Sequence, residues 1–209
     1  MTKQLGFFID VSKCTGCKTC QVACKDKNSL PVGMNFRRVT EYSGGSWRQN
    51  KLDGTWRQDV FAYYVSVSCN ECSEPACVKA CPTGAHFKRE GDGLVLIDQK
   101  KCIGCGACYQ ACPYGAPQFD RAAKKMRKCD GCADRLARGM QPVCVEACPQ
   151  RAIEFGDIDE LMKRHPGCAA HVAPLADPAK TRPNLLIKAA RNARPVGDKS
   201  GMVYCPLKK

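Results

Sequence analysis

The chain has 209 residues, enough for one or two compact domains, yet 44% are hydrophobic and 7% aromatic, which is short of an ordinary apolar core. Lysine and arginine (33) outnumber aspartate and glutamate (20), giving a formal charge of +13, and cysteine reaches 18 residues. No apolar run approaches the length that crosses a bilayer; the longest, around Phe61 to Val67, contains tyrosines and a serine and reads as a strand, so the chain is expected to be soluble or peripheral.

In chain order, Gly6 to Asp10 predicts a strand leading into a first cysteine group, Cys14, Cys17, Cys20 and Cys24. Phe36 to Tyr42 and Val60 to Ser68 predict two strands, joined by a polar excursion that holds Gly44, Gly45, Trp47, Gly54 and Trp56. A second group follows, Cys69, Cys72, Cys77 and Cys81. His86 to Lys88 and Leu94 to Ile97 predict a hairpin around Gly91-Asp92-Gly93. The third group, Cys102, Cys105, Cys108 and Cys112, repeats the C-x2-C-x2-C-x3-C spacing of the first, and the fourth, Cys129, Cys132, Cys144 and Cys148, keeps the opening C-x2-C and closing C-x3-C but stretches the middle. Asp157-Ile158-Asp159-Glu160 predicts a capping box opening a short helix that Pro166 ends. Beyond Pro166 the composition turns proline-, alanine- and lysine/arginine-rich, and only Asn184 to Ala190 suggests regular structure. That tail is either mobile or extended on another subunit; Leu185, Leu186 and Ile187 need apolar cover, which favours the second.

Four groups of four thiols in such runs are what cubane iron–sulfur clusters require, because three closely spaced thiolates can converge on one cube while the last reaches a neighbour. A disulfide framework is the first competitor. Against it, the amino terminus shows no basic start followed by a long apolar stretch, so no signal peptide is expected, and tight clusters close no useful loops. Structural zinc in a basic nucleic-acid binder is the second. Two of the runs, however, pack four cysteines into eleven residues, and Pro82, Pro113 and Pro149 follow the final Cys of their groups as in bacterial ferredoxin runs. The basic excess then has a use, since four cubanes at about −2 oxidised or −3 reduced would bring the chain to roughly +5 or +1. Part of it could instead face an acidic partner or lipid headgroups.

Three groups open K-C-x-G-C, with Gly16, Gly104 and Gly131 before the second Cys; the second group has Glu71 there. The glycines either let backbone amides approach cluster sulfurs or simply make turns. Cys168 and Cys205 lie outside the groups and are expected to be free thiols, and His86, His165 and His171 are scattered with no ligand spacing.

Together these residues resemble a known family. Gly6-Phe7-Phe8-Ile9-Asp10, Phe36-Arg37-Arg38, Glu41-Tyr42, Gly44-Gly45, Phe61-Ala62-Tyr63-Tyr64, Cys112-Pro113-Tyr114-Gly115-Ala116-Pro117 and Lys128-Cys129-Asp130-Gly131-Cys132 are similar to the iron–sulfur subunits of bacterial anaerobic dimethyl sulfoxide reductases, among the four-cluster electron-transfer subunits of molybdopterin oxidoreductases. The resemblance implies an α+β fold with two ferredoxin-like 2[4Fe–4S] units, inserted β segments and an extended C-terminal tail. Its segments would be 1–35 plus 120–165, the insert 36–68, the second unit 69–119, and the tail 166–209 docking on partner subunits. It also implies ligation across groups: Cys14, Cys17, Cys20 and Cys148 on cluster 1; Cys24, Cys129, Cys132 and Cys144 on cluster 2; Cys69, Cys72, Cys77 and Cys112 on cluster 3; Cys81, Cys102, Cys105 and Cys108 on cluster 4. In related nitrate reductase subunits a Trp replaces one third-group ligand and leaves a three-iron cluster; Cys105 is present here, so four [4Fe–4S] clusters are expected.

By the same resemblance the protein is a non-catalytic wire in a membrane-associated bacterial complex, between a quinol-oxidising integral membrane anchor and a molybdopterin catalytic subunit that reduces dimethyl sulfoxide or related S- and N-oxides. It would bind no nucleic acid. The same wire could serve a tetrathionate, polysulfide or formate oxidoreductase, since specificity lies in the partner.

Overall fold

The computed structural model describes residues 3–168 and 172–205. Its elements are short: β1 (Leu5–Asp10), α1 (Thr19–Lys27), β2 (Arg38–Gly44), β3 (Trp47–Gln49), β4 (Trp56–Gln58), β5 (Phe61–Val67), α2 (Ala76–Lys79), β6 (His86–Lys88), β7 (Val95–Ile97) and α3 (Ala107–Ala111). Then come β8 (Gln118–Asp120), β9 (Lys125–Arg127), α4 (Ala133–Leu136), α5 (Val143–Glu146), β10 (Ile153–Asp157), α6 (Ile158–Arg164), β11 (Leu185–Lys188) and β12 (Gly201–Tyr204). This is the expected α+β architecture of small sheets and helices around cysteine loops.

β1 is the middle strand of a sheet ordered β10-β1-β11. It runs antiparallel to β10, with Phe7 opposite Phe155, and parallel to β11, with Phe7 opposite Leu185. Successive side chains point to opposite faces, so Phe7 and Ile9 enter the larger core while Phe8 packs with Ile158, Leu161 and Leu186 beneath α6. Both faces are covered, which is why the strand is apolar along most of its length. Asp157 begins α6 as expected, its Oδ1 accepting the amides of Asp159 (3.0 Å) and Glu160 (3.3 Å), and the helix ends at Arg164, two residues before Pro166.

A second sheet is ordered β12-β2-β5, with β2 and β5 paired from Arg38–Val67 to Gly44–Phe61. The polar excursion between them forms the β3–β4 ribbon, two strands that its composition does not predict, and exposed Trp47 and Trp56 lie on it. The β6–β7 hairpin turns where the Gly-Asp-Gly sequence puts it.

Part of the tail is built into the fold. Leu185, Leu186 and Ile187 find their apolar cover within the same molecule, as β11 against β1, and Val172, Ala173 and Leu175 join the same core. β12 then closes the edge of β2, with Val203 opposite Tyr42. A parallel pairing between distant segments leaves no local trace, since Leu-Leu-Ile reads equally well as an exposed docking strip.

Apart from the small cluster of Phe8, the core has two large parts. The larger part gathers Phe7, Ile9, Val65, Leu94, Phe155 and Leu185 with Cys20, Cys144 and Cys148. In the other, Leu30, Met34, Phe36, Tyr114 and Met126 stand among eight cysteines, half of its buried residues. No ordinary core is built so, and the interior is arranged around sulfur.

Candidate metal centres

Each group is a loop followed by a helix. The K-C-x-G-C openings turn at Gly16, Gly104 and Gly131, all left-handed (φ +71°, +74° and +68°), and Glu71 takes the same hand at φ +46° in the second group. The closing C-x3-C falls on or beside a helix: Cys20 and Cys24 both in α1, Cys77, Cys108 and Cys144 inside α2, α3 and α5, and Cys81, Cys112 and Cys148 at or just past their ends. An i,i+4 spacing sets both thiols of a pair on one helix face. Helix α1 packs on α5, and α2 on α3, so C-x3-C pairs from different groups face each other.

Two small, partly open cavities result. One, about 20 Å³, is lined by Cys14, Cys17, Cys20 and Cys148, with Ile9, Val39, Ala152 and Ile153 as apolar wall. The other, about 10 Å³, is lined by Cys81, Cys102, Cys105 and Cys108, with Ala85, Ile103 and Met126. The remaining eight grouped thiols are Cys24, Cys69, Cys72, Cys77, Cys112, Cys129, Cys132 and Cys144. Burial, then Cys144 and Cys132, push the Cys24 thiol up to about 11, and Cys129 is raised by burial and by Cys24. Cys72 and Cys77 are each pushed up to about 12 by burial and by the charge of Cys112.

Buried thiols that oppose one another's ionisation favour a strongly cationic group able to draw off their protons, and thiolate is the species iron binds. Among the described residues no three His, Cys, Asp or Glu side chains gather as a single ion would need; the sulfurs stand around voids instead. Backbone amides also point at sulfur: Ala152 N to Cys148 Sγ, Met126 N to Cys102 Sγ and His86 N to Cys81 Sγ, each 3.4 Å, and Gly131 N to Cys129 Sγ, 3.5 Å. Both readings of the glycines therefore hold at Gly131, which turns the backbone and donates to the Cys129 sulfur. The donor set fits iron–sulfur clusters.

Other thiols couple across these sets. Cys20 feels Cys144, Cys69 feels Cys129, and Cys77 feels Cys108. Such neighbours link the four cysteine groups to one another.

Sequence reasoning gives no role to three buried charges among them. Arg37 is 1% exposed and has the thiols of Cys144, Cys20, Cys129 and Cys24 about it. Lys128 is buried near Cys69, Glu71, Cys129 and Cys77, its Nζ donating to the carbonyls of Val95 and Cys129. Glu71, fully buried, accepts the Val95 amide on Oε2. Nothing in Phe36-Arg37-Arg38 distinguishes the first arginine from the second, and Lys128 is one lysine of three before an opening Cys.

His86 is buried in the wall of the smaller cavity, with neither ring nitrogen hydrogen-bonded, and burial with the nearby Lys128 charge drives its pKa down to about 4. His165 stacks on Phe8 (ring centroids 3.6 Å apart), and His171 lies outside the described residues. Of the two cysteines outside the groups, Cys168 is half-buried and Cys205 is exposed, with Lys18 Nζ 3.8 Å from its sulfur.

The fold and donor set define an iron–sulfur protein of the ferredoxin-like, electron-transferring kind. Residues 60–158 match the 4Fe–4S dicluster domain family, and residues 5–26 match a 4Fe–4S binding domain. Over 206 residues the sequence is 55% identical to the B subunit of the anaerobic dimethyl sulfoxide reductase of Escherichia coli (strain K12), an alignment covering 99% of this protein and 98% of that one. To the B subunit of the Haemophilus influenzae enzyme it is 50% identical over 204 residues, 98% of each. It is also 39% identical over 132 residues to the formate dehydrogenase iron–sulfur subunit of Wolinella succinogenes, covering 61% of this protein and 60% of that one. The protein belongs to the family of anaerobic dimethyl sulfoxide reductase iron–sulfur subunits. It is an electron-transfer subunit, not a catalytic one, and carries four [4Fe–4S] clusters. No helix among the described residues is long and apolar enough to cross a membrane.

Proposed function

We propose that the protein relays electrons from a quinol-oxidising membrane anchor to a molybdopterin catalytic subunit that reduces dimethyl sulfoxide or related S- and N-oxides, as a peripheral subunit on the membrane. Near-full-length similarity to subunits of that enzyme supports this substrate class, whereas the formate dehydrogenase relative matches over only 61% of this protein. Each cluster, when bound, accepts one electron and passes it on.

The ligand sets are the crosswise ones: Cys14, Cys17 and Cys20 with Cys148; Cys24 with Cys129, Cys132 and Cys144; Cys69, Cys72 and Cys77 with Cys112; Cys81 with Cys102, Cys105 and Cys108. The observation that carries this is the lining of the two cavities, each holding three thiols of one group and one of another. The contacts of α1 with α5 and of α2 with α3 support two ferredoxin-like units, 1–35 with 120–165 and 69–119, with the segments 36–68 and 166–209 added to them. The protein's own part is to hold the sulfurs, aim amides at them, and keep water from the buried sets with Ile9, Val39, Leu30 and Met126. The unit of the first and fourth groups faces the catalytic subunit, and that of the second and third faces the anchor.

Substitution tests the pairing, because replacing one ligand perturbs the cluster it holds. Cys148→Ser is expected to alter the same paramagnetic signal as Cys17→Ser. A match between Cys148→Ser and Cys132→Ser instead would overturn the crosswise assignment.

A further inference from the structure

Arg37 precedes β2 and is sealed in the interior at 1% exposure. Its Nη1 donates to the Ser66 carbonyl and hydroxyl (both 3.1 Å), its Nη2 to the Ser68 hydroxyl (2.9 Å), and the guanidinium lies 4.5 Å from the centre of the Phe7 ring. Its Nε has no partner. Among the described residues no carboxylate stands within ion-pair distance of it.

A buried guanidinium held only by neutral oxygens and a ring is costly, and folding tolerates it when opposite charge lies close. The opposite charges here are sulfurs. The Ser66 hydroxyl that accepts from Arg37 lies 3.4 Å from Cys20 Sγ, and Cys144, Cys129 and Cys24 are the other sulfurs about the guanidinium. Those four sulfurs do not belong to one set. Cys20 lines the cavity with Cys14, Cys17 and Cys148, while Cys24, Cys129 and Cys144 are those proposed above for the neighbouring set. Arg37 thus stands at the junction of two centres, beside α1, the helix whose Cys20 and Cys24 serve one set each.

We propose that Arg37 is a positioning residue for electron transfer, a shared counter-charge that holds the reduction potentials of the two clusters of the first and fourth groups upward and close together. A fixed positive charge stabilises the more negative, reduced form of each cluster, and its effect is large in a water-free interior. Because one charge serves both, an electron moving between them leaves its influence nearly unchanged. Arginine suits the place, since it cannot lose its proton there and its planar fork satisfies two serines at once.

The inference rests on the crosswise ligand sets proposed above, and the experiment separates the two. The assembled complex is titrated potentiometrically with the cluster signals read by paramagnetic resonance, and iron is measured for every variant. Arg37→Gln, which keeps hydrogen bonding but removes the charge, is expected to lower two of the four potentials. In each, the reduced-to-oxidised ratio at fixed potential should fall at least tenfold, about 59 mV for a one-electron step. The two signals must be those altered by Cys20→Ser and by Cys24→Ser. Arg37→Lys, which keeps the charge, should leave both within a threefold change.

If Arg37→Gln fails to retain iron, Ser66→Asp sets a carboxylate against the guanidinium in place; it must lower the same two potentials, and Ser66→Asn must not. Unmoved potentials in the neutralised variants, or an equal fall in Arg37→Lys, overturn the proposal. Crosswise ligation is judged apart, by whether Cys20→Ser and Cys148→Ser alter one signal. Two shifted potentials with that test failed would uphold Arg37 and overturn the pairing.

Discussion

Truncation after Gly167 is expected to cost the protein its clusters, because β11 and the residues leading to it belong to the core. The deletion strips Val172, Leu175, Leu185, Leu186 and Ile187, each at most 7% exposed, from Phe7, Phe8 and Ile9. At about 1.5–3 kcal/mol per buried aliphatic side chain the loss is roughly 8–15 kcal/mol, an upper bound because unfolded polypeptides already bury some apolar surface. Folded domains have only about 5–15 kcal/mol of net stability, so the truncated protein has little margin to fold. It also removes Thr181, whose hydroxyl lies 3.4 Å from Cys72 Sγ. A graded version is Ile187→Ala, which should cost about 2–5 kcal/mol for the transfer and cavity terms together. The assay is iron and acid-labile sulfide in anaerobically purified complex, about 16 of each per intact subunit. A truncated protein that keeps its full iron but detaches from its partners would refute the reasoning and make the tail the docking arm that its composition suggests.

Cys105 is exposed at the rim of the smaller cavity. Cys105→Ser is expected to abolish quinol-dependent reduction of the oxide substrate while an artificial donor to the catalytic subunit still supports turnover; equal loss with both donors would place Cys105 at the other end of the wire or in assembly. Gly104→Ala should lower iron occupancy of that same cluster, since the added Cβ would sit 2.4 Å from the Lys124 carbonyl at φ +74°, where an L side chain is strained as well. The comparison is Gly106→Ala, which shares the positive φ (+79°) but meets nothing within 4 Å, and equal iron loss in the two would remove the close-approach argument.

Much of the local structure is legible directly in the residues. The thiol spacing within groups, the Gly-Asp-Gly hairpin and the Asp157 cap each depend on contacts a few residues apart, where backbone preference and short hydrogen bonds decide. The closing C-x3-C pairs are visible too, although spacing alone leaves open that both thiols share a helix face. The β3–β4 ribbon escapes because its strands are three residues long and fully exposed, with no alternation of burial to reveal them.

What sequence determined by itself is the chemistry: sixteen thiols in four groups, a basic excess suited to anionic clusters, and a family resemblance that implies the crosswise sets without any geometry. What tertiary structure decided is which distant parts meet. Leu185 to Ile187 pair with β1, which offers both backbone pairing and an apolar face. Arg37 went inside while Arg38 next to it reached the carbonyls of Tyr114 and Gly115, and the difference lies in Ser66, Ser68, Phe7 and sulfurs from other segments. Burial of a charge is fixed by the groups folding brings around it, and those groups lie far in sequence from the residue that carries it.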